Sequence, residues 1–319
     1  MSAFRWGILG TGRINLRVLP GFREAGHAIA VVGSRDPARG RAHAAELGAA
    51  RAGSYDDVLA ADDVDAVYVS LPNGLHAAWS IRALEAGKPV LCEKPMAASV
   101  ADCQAMVEAA ERHKLPLAEA FMYRYHPRWR VVRQLLDEGA IGRVLTLRAA
   151  FGFRLDRAED VRLSPELAGG AAQDVGCYAV NAARWFLGEP TRVRGRAADR
   201  RGVGVDTHGA AVLEYPDGVL ATVECSFDAP IGQRFELVGE RGTIEVPGPF
   251  LPSRDHSVRV GDRVEQVPPA NQYAEQFRAF ERCVREGTPL LTPGTDAAGT
   301  QAVIARWRLY TEAREEGDR

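Results

Sequence analysis

Short apolar runs alternate with helix-periodic segments along the first 120 residues of this chain. The apolar runs are predicted strands, and they cover residues 4–9, 28–33, 65–71, 89–92 and 116–120. Helical patterns lie between them, for example over residues 37–47 and 75–86. This alternation is typical of a parallel, doubly wound sheet with helices on both faces. The sequence therefore predicts an α/β domain over residues 1–120.

The pattern changes at residue 121, where aromatic and basic residues become dense. A long alternating strand is predicted over residues 144–153, and residues 191–267 repeat strand signals between glycine- and proline-containing turns. Helices are predicted over residues 128–138, 272–286 and 296–313. Because 319 residues exceed what one core usually organises, a second domain is expected. It covers residues 121–319 and contains a mostly antiparallel sheet.

The composition argues against several functional classes. A formal charge of -2 and a pI near 6.4 provide no net field that attracts nucleic acid or an anionic membrane. The five cysteines are widely spaced and include no C-x-x-C pair, which argues against a disulfide framework and a zinc site. No basic segment with a long apolar stretch opens the chain, so neither a signal peptide nor a membrane span is expected. We therefore expect a cytoplasmic protein that acts on small molecules without a metal.

A glycine turn follows the first predicted strand and precedes a helical pattern. It reads Gly10-Thr11-Gly12-Arg13-Ile14. The two glycines allow a tight turn and a close approach to the pyrophosphate of a dinucleotide, which would lie on the helix N-terminus. The third glycine of the usual fingerprint is missing, so a glycine-rich turn without a ligand is the alternative.

The end of the second predicted strand indicates which dinucleotide binds. NAD sites usually carry an acidic residue there, which holds the ribose hydroxyls, whereas the 2'-phosphate of NADP favours arginine. This chain has Ser34-Arg35, and both side chains can donate hydrogen bonds to phosphate. Asp36 follows, and we expect it to cap the helix that Pro37 begins rather than to bind ribose. NADP is therefore the predicted cofactor, with NAD as the alternative.

The third long strand ends in a turn that is predicted to contact the cofactor. Its residues are Leu71, Pro72 and Asn73, and His76 lies on the first turn of the next helix. The carboxyl ends of strands in open α/β sheets are where ligands bind. His76 is therefore expected to face the cofactor crevice, although a packing histidine is common at such a position.

The apolar run over residues 89–96 ends abruptly in Glu93, Lys94 and Pro95. Proline has no amide hydrogen and a fixed φ, so the strand must stop there and the chain must turn. Glu93 and Lys94 are thus predicted to lie at the same crevice and to contact the cofactor.

A catalytic pair is predicted on the glycine-rich segment that enters a helix ending at Leu187. Asp174 and Tyr178 are four residues apart, so both side chains project from one helix face. Tyrosine is a weak base at its ordinary pKa of about 10, but a neighbouring ammonium such as that of Lys94 favours the phenolate. Tyr178 and Lys94 could then take the proton of an alcohol while the cofactor takes the hydride, and Asp174 would orient the substrate or the lysine. The alternative is a capping aspartate and a packed tyrosine.

Over essentially the whole chain, these motifs resemble those of the Gfo/Idh/MocA oxidoreductases. They are Gly10-Thr11-Gly12-Arg13-Ile14, Leu71-Pro72-Asn73 with His76, Cys92-Glu93-Lys94-Pro95, Glu119-Ala120-Phe121-Met122-Tyr123-Arg124 with His126-Pro127, and Gly169-Gly170 with Tyr178. Tyrosine at position 178 is similar to the NADP-dependent D-xylose dehydrogenase and dihydrodiol dehydrogenase members, whereas inositol dehydrogenases carry histidine there.

The resemblance implies a Rossmann domain followed by an α/β domain with an open, mostly antiparallel sheet. It implies catalysis by Lys94 and Tyr178, with Asp174 near the substrate and Arg162 near the cofactor. It also implies a homodimer or homotetramer that associates through the face of the second sheet. Gln173 and Asn15 depart from the family pattern, which leaves the pocket shape and the phosphate contacts open.

We therefore predict an NADP-dependent dehydrogenase that oxidises the anomeric carbon of an aldopyranose, D-xylose or a close relative, to the lactone. Reduction of a keto sugar such as anhydrofructose and oxidation of a cyclic diol are alternatives within the same class. A non-catalytic dinucleotide sensor is an alternative from another class, but it would not need a lysine and a tyrosine at the nicotinamide. A hydrolase or lyase that uses bound NAD transiently would show no net reduction of the cofactor, and Ser34-Arg35 argues against it.

Overall fold

The computed structural model describes residues 3–251 and 253–317. By their internal contacts these residues form two compact units. The first contains the chain up to Tyr125 together with Asn271–Ala298, and the second contains His126–Ala270 and the chain from Gly299 onward. No helix within the described ranges is long and apolar enough to span a membrane.

The long strands and helices occur in the predicted order, and the structure adds β3 and α3 to the first unit. The strands are β1 (Arg5–Leu9), β2 (Ala28–Gly33), β3 (Arg51–Gly53), β4 (Ala66–Val69), β5 (Val90–Cys92), β6 (Leu117–Glu119), β7 (Val144–Gly152), β8 (Arg192–Ala198), β9 (His208–Glu214), β10 (Leu220–Ser226), β11 (Gly232–Gly239), β12 (Gly242–Glu245), β13 (Val258–Val260) and β14 (Arg263–Glu265). The α-helices are α1 (Ile14–Ala25), α2 (Pro37–Leu47), α3 (Tyr55–Leu59), α4 (His76–Glu85), α5 (Val100–His113), α6 (Arg128–Asp137), α7 (Cys177–Leu187), α8 (Gln272–Glu286) and α9 (Gly294–Gly317). A π-helical turn over Ala172–Gly176 precedes α7.

The sheet of the first unit has the strand order β3-β2-β1-β4-β5-β6, and all its strands are parallel. Helices cover both faces of this sheet, so β4 and β5 are apolar throughout and all their residues are buried. The carboxyl ends of the strands share one edge of the sheet, where Gly10, Ser34, Ser70 and Glu93 follow β1, β2, β4 and β5. The predicted doubly wound parallel sheet is confirmed, and its strand order is that of a Rossmann fold.

Helix α8 belongs to the first unit, although it follows the second sheet in the chain. Its Phe277 ring stacks on Phe22 of α1 with 3.9 Å between centroids, and its centroid lies 5.5 Å from that of Trp6 in β1. The helices α1 and α8 approach closely at Gly21, where a Cβ atom would lie 2.6 Å from the Cβ of Tyr273. The predicted second domain, residues 121–319, therefore contains a segment that the structure groups with the first unit.

The sheet of the second unit has the order β14-β13-β12-β11-β7-β10-β9-β8. Its neighbouring strands are antiparallel except for β7 and β10, which are parallel. One face of this sheet packs against α7 and carries the buried side chains of Leu147 and Phe235. The Phe235 ring contacts Trp129 of α6. The opposite face exposes Arg148 and Val212. The predicted mostly antiparallel sheet is confirmed.

Candidate active site

The glycine turn after β1 is shaped for the close approach of a ligand. Gly10 has a φ of 108°, which favours glycine, and a Cβ atom there would lie 3.1 Å from the Ser70 carbonyl oxygen. A Cβ atom at Gly12 would meet the same oxygen at 3.1 Å. Helix α1 begins at Ile14, and Arg13 at its N-cap makes no side-chain capping hydrogen bond. The N–H groups of Asn15 and Leu16 donate to the Gly12 and Arg13 carbonyls at 3.1 and 3.2 Å. The glycine turn and the positive end of α1 are therefore the features that suit the pyrophosphate of a dinucleotide.

The side chain of Asn15 stabilises this turn through a hydrogen bond to its backbone. It is fully buried, its Nδ2 donates to the Gly10 carbonyl at 3.0 Å, and the same nitrogen lies 3.1 Å from Nε2 of His43 in α2. Because an amide nitrogen only donates, Nε2 of His43 is the acceptor and the ring proton lies on Nδ1. Burial lowers the pKa of His43, which favours this neutral form. Asn15 thus forms a hydrogen-bonded link between the glycine turn and α2.

The acidic side chain that follows β2, that of Asp36, forms hydrogen bonds with backbone N–H groups of α2. Ser34 is buried, and its hydroxyl accepts the Asp36 N–H at 3.2 Å. The Asp36 carboxylate accepts two N–H groups in the first turn of α2, at 2.9 and 3.2 Å, so it caps this helix as predicted. Arg35 is exposed beside these residues.

Arg39 is a candidate phosphate ligand that sequence reasoning missed. It lies in the first turn of α2, it is exposed, and a guanidinium nitrogen lies 3.5 Å from the Thr11 carbonyl of the glycine turn. The available signal was a second arginine one helical turn after Arg35, on the helix that the second strand enters. With Ser34 it could offer phosphate both hydroxyl and guanidinium donors.

The segment after β4 lies at the same edge of the sheet. Leu71 is buried, Pro72 and Asn73 are partly exposed, and Asn73 begins a 3-10 turn that leads into α4. His76 is only 1% exposed, and its ring nitrogens lie 2.8 Å from the Pro95 carbonyl oxygen and 2.7 Å from the Leu71 carbonyl oxygen. His76 is therefore placed as a support between two loops, whereas a contact with the cofactor was expected.

The turn that carries Lys94 is held on both sides. Glu93 accepts a hydrogen bond from the Tyr68 hydroxyl and another from the Lys94 N–H, the latter at 3.2 Å. The Met96 N–H donates to Oε1 of the buried Glu119 at 2.8 Å. These contacts fix the backbone of Lys94 at the carboxyl end of β5, and the residue itself is partly exposed.

In the second unit, Asp174 pairs with Arg162. Nε of Arg162 donates to Oδ2 of Asp174 at 2.7 Å, and Nη1 donates to Asp160 at 3.2 Å. The charge of Asp174 raises the pKa of Arg162 further, so the guanidinium stays charged. Close packing supports the pair, since a Cβ atom at Gly169 would lie 2.4 Å from the Arg162 carbonyl oxygen. Asp174 was predicted near the substrate and Arg162 near the cofactor, and the structure brings the two side chains together.

Asp206 anchors the π-helical turn that contains Asp174. The backbone carbonyl and the carboxylate of Asp206 accept successive N–H groups at the start of this turn, at 2.7 and 2.6 Å. Arg308 of α9 pairs with the same carboxylate at 2.7 Å. Gly170 has a φ of 115°, which favours glycine, and a Cβ atom there would lie 2.7 Å from both charged groups. The sequence predicted a glycine-rich helix entry, but the spacing of Asp174 and Tyr178 did not reveal the π geometry.

Tyr178 in the first turn of α7 lies in an aromatic cluster. It is 3% exposed, and its ring centroid lies 5.3 Å from that of Phe151 and 5.4 Å from that of Phe250. Gln233 positions the second ring, because its Oε1 accepts the N–H groups of Phe250 and Leu251 at 3.0 and 2.7 Å. These buried rings pack around the phenol and fix the orientation of the Tyr178 ring.

The predicted site residues are divided between the two units. The glycine turn, Ser34, Arg35, the segment after β4 and the Lys94 turn belong to the first unit. Arg162, Asp174 and Tyr178 belong to the second. Among the residues that the structure describes, no group of three or more His, Cys, Asp or Glu side chains is arranged to hold a metal ion.

Two sequence-family matches cover most of the chain. Residues 4–121 match an oxidoreductase family with an NAD-binding Rossmann fold, and residues 129–245 match the Gfo/Idh/MocA C-terminal domain. The chain belongs to the Gfo/Idh/MocA family of oxidoreductases. Membership confirms the predicted resemblance and the predicted enzyme class, and it accounts for a Rossmann unit followed by a mostly antiparallel sheet.

Relatives of this Gfo/Idh/MocA chain are named as sugar oxidoreductases. It is 41% identical to a D-xylose 1-dehydrogenase (NADP(+)) of Haloferax volcanii over 98% of each chain. It is 36% identical to a dTDP-3,4-didehydro-2,6-dideoxy-alpha-D-glucose 3-reductase of Streptomyces violaceoruber, over 89% of this chain and 86% of the relative. The crystal structure of a 3-ketoreductase from Actinomadura kijaniata with NADP and TDP-benzene matches with a TM-score of 0.89 at 31% identity, covering 97% of this chain and 98% of that chain.

Proposed function

We propose that this protein is an NADP-dependent sugar dehydrogenase that oxidises the anomeric carbon of an aldopyranose, D-xylose or a close relative, to the lactone. The relative of Haloferax volcanii, named as an NADP-dependent xylose dehydrogenase, supports this reaction through 41% identity over nearly the full length. We also propose that the protein acts in the cytoplasm, because its five cysteines are free thiols, as is usual in a reducing compartment.

The residues after β2 favour NADP over NAD as the cofactor. Asp36 uses its carboxylate to cap α2, and Ser34 with the exposed Arg35 and Arg39 borders the glycine turn. A 2'-phosphate would gain hydroxyl and guanidinium donors there, while the acid that an NAD site needs is engaged with backbone amides. The remaining proposed cofactor contacts are Leu71, Pro72, Asn73, Glu93, Lys94 and Arg162.

Lys94 and Tyr178 provide the proposed acid–base chemistry. Tyr178 takes the proton of the anomeric hydroxyl, and the ammonium of Lys94 stabilises the phenolate that makes this possible. Asp174, which Arg162 holds at 2.7 Å, orients the sugar through a neighbouring hydroxyl. A bound NADP would supply the hydride acceptor for the anomeric carbon, and loss of the hydride and the hydroxyl proton would leave the lactone carbonyl.

The direct test is a survey of aldoses with NADP and NAD, followed by the variant Tyr178→Phe. We expect reduction of NADP with at least one aldopyranose, and we expect the variant to lower kcat by roughly 10²- to 10⁴-fold because it removes the base. Tyr215→Phe is the matched control, since its hydroxyl is buried and has no hydrogen-bond partner among the described residues. Normal turnover in Tyr178→Phe, or an equal loss in the control, would remove Tyr178 from the mechanism.

Reduction of a keto sugar is the second candidate, and a specific observation favours it. The Streptomyces relative and the Actinomadura structure are both named as reductases of keto sugars or as ketoreductases. The same residues would serve, with Tyr178 donating the proton that it otherwise accepts. Oxidation of NADPH by keto sugars at a higher kcat/KM than reduction of NADP by aldoses would favour this direction.

We also propose that two or four copies associate through the exposed face of the second sheet. Across β11, β7, β10, β9 and β8, this face presents the row Glu236, Arg148, Thr222, Val212 and Arg194. Arg148 pairs with Glu236 at 3.0 Å and Arg194 with Glu214 at 3.2 Å, which leaves small and apolar side chains between the charged ones. A surface with both signs of charge around an apolar centre can be complementary to its own copy about a two-fold axis.

A further inference from the structure

The imidazole of His76 lies between two loops of the first unit. Its residue starts α4 and is 1% exposed. Nδ1 lies 2.8 Å from the carbonyl oxygen of Pro95, the residue that follows Lys94, and Nε2 lies 2.7 Å from the carbonyl oxygen of Leu71, just after β4. One buried ring therefore contacts both the turn of the proposed catalytic lysine and a segment proposed to touch the cofactor.

A neutral His76 ring can donate a hydrogen bond to only one of the two carbonyl oxygens at a time. A carbonyl oxygen only accepts hydrogen bonds, and a neutral imidazole has a single N–H group. Burial lowers the pKa of His76, and so does the charge of Lys94, although the two carbonyl contacts act in the opposite direction. The neutral ring donates to Pro95 in one tautomer and to Leu71 in the other.

We infer that His76 is a positioning residue: one tautomer holds the Lys94 turn by donating to the Pro95 carbonyl, and the other holds the segment after β4 by donating to the Leu71 carbonyl. The inference rests on the proposed function only for the role of Lys94. The neighbouring hydrogen bonds, from Lys94 N–H to Glu93 and from Met96 N–H to Glu119, fix the two sides of the turn. His76 fixes the carbonyl between them.

Two substitutions separate the two contacts. His76→Asn keeps an amide donor near the position of Nδ1, so it can hold Pro95 but not Leu71. His76→Gln keeps a donor near the position of Nε2, so it can hold Leu71 but not Pro95. His76→Gln, which loses the contact with the lysine turn, should therefore change kcat. His76→Asn, which loses the contact with the segment after β4, should change the KM for NADP.

We expect His76→Asn to raise the KM for NADP roughly three- to tenfold, the loss of one hydrogen bond, and to change kcat less than about threefold. We expect His76→Gln to lower kcat about tenfold or more and to change the KM for NADP less than about threefold. His27→Gln is the control for general destabilisation. The His27 side chain is 1% exposed and contacts Trp6 and Glu281 at the amino end of β2, so its substitution should lower the melting temperature and leave both kinetic constants unchanged.

A second measurement does not depend on turnover. The chain has three lysines, Lys88, Lys94 and Lys114, so ¹³C-lysine labelling gives a small set of assignable NMR signals. Lys88 donates to the Ala61 and Val64 carbonyls, Lys114 is exposed, and both serve as internal references. The Lys94 side-chain signal should move in His76→Gln and stay in place in His76→Asn.

The outcomes distinguish the two claims. If His76→Asn and His76→Gln change kcat, KM and the Lys94 signal by the same amounts, or leave all three unchanged in folded protein, His76 does not position the turn. If wild-type protein reduces no NADP with any sugar but the Lys94 signal moves only in His76→Gln, the proposed function fails and the positioning role stands.

Discussion

The two arginines beside the glycine turn are held differently, and this decides what each can contribute. Arg35 is exposed and lies two residues after the end of β2, whereas Arg39 extends from α2 to within 3.5 Å of the Thr11 carbonyl. A guanidinium that already lies against the turn loses less freedom when it binds phosphate than one that must be ordered first.

Arg39→Ala should therefore raise the KM for NADP about 10- to 100-fold, because a hydrogen bond to a charged group contributes about 1.5–3 kcal/mol. The KM for NAD should stay the same, since NAD has no 2'-phosphate. Steady-state kinetics with both dinucleotides measure this difference. Arg41→Ala, an exposed arginine two residues further along α2, is the control. Equal effects on NADP and NAD would show that Arg39 does not contact the 2'-phosphate.

Single residues were predictable from the sequence where their partners are local. The Asp36 cap was predicted because its partners are amides two and three residues away. The pair of Arg162 with Asp174 and the link of Asn15 to His43 were not, because those partners are 12 and 28 residues apart and meet only once the chain has folded. The position of His76 was predicted, but its contacts with two carbonyls were not.

At the scale of elements, apolar periodicity predicted the long strands and helices, including α8 at its observed bounds. It missed β3 and α3, which have three and five residues and too few apolar positions to show a period. The strong amphipathic pattern of α8 shows that one face is buried, but not what covers it. The contact of α8 with α1 therefore had to come from the structure.

The π-helical turn before α7 is the element most sensitive to a single side chain. Asp206→Ala removes the acceptor of an N–H group at its start and leaves Arg308 without that carboxylate. We expect the free energy of unfolding in urea to fall by about 1–2 kcal/mol, as for the loss of a helix cap. We also expect kcat to fall, because the turn places Asp174 and leads into Tyr178.

Two further variants test this account of Asp206. Asp206→Asn keeps an acceptor for the N–H group and should retain most of the wild-type kcat. Asp199→Ala removes a carboxylate that accepts N–H groups within the loop before β9, so it should reduce stability without reducing kcat. A kcat that is unchanged in Asp206→Ala would show that the anchor does not matter for turnover.

At the scale of the whole molecule, buried histidines make the fold sensitive to acid. Burial lowers the pKa of His27, His43, His76 and His126 below 6.5, and that of His126 lies at about 3. In the unfolded chain these histidines take up protons near pH 6.5, whereas in the folded chain they stay neutral at that pH. Their neutral forms therefore contribute fully to the free energy of unfolding above pH 6.5, and this contribution is lost as the pH falls towards about 3.

His126→Asn should reduce this loss. His126 Nδ1 accepts the Arg128 N–H at 3.2 Å, and the asparagine oxygen can replace that acceptor without taking up a proton. Urea titrations should show that the drop in unfolding free energy between pH 7 and pH 5 is smaller by on the order of 1 kcal/mol. His113→Asn, the same substitution at an exposed histidine of α5, is the control. The same pH dependence in His126→Asn and wild type would contradict the assignment to His126.

The proposed self-association depends on the centre of the exposed sheet face. Val212→Arg places a charge at one of the two uncharged positions of the row that runs from Glu236 to Arg194, so we expect light scattering to give the mass of a single chain. Leu309→Arg adds the same charge at an exposed position of α9 and should keep the mass of the assembly. A wild-type protein that already has the mass of one chain would rule out the proposed interface.

The return of α8 to the first unit also determines when that unit can be completed during synthesis. Trp6 and Phe22 emerge from the ribosome among the first residues, but Phe277, which covers them, emerges near the end. At about 5 to 20 residues per second, roughly 10 to 50 seconds separate these events. For that interval the nascent chain carries an uncovered aromatic surface, which is the kind of surface that chaperones bind.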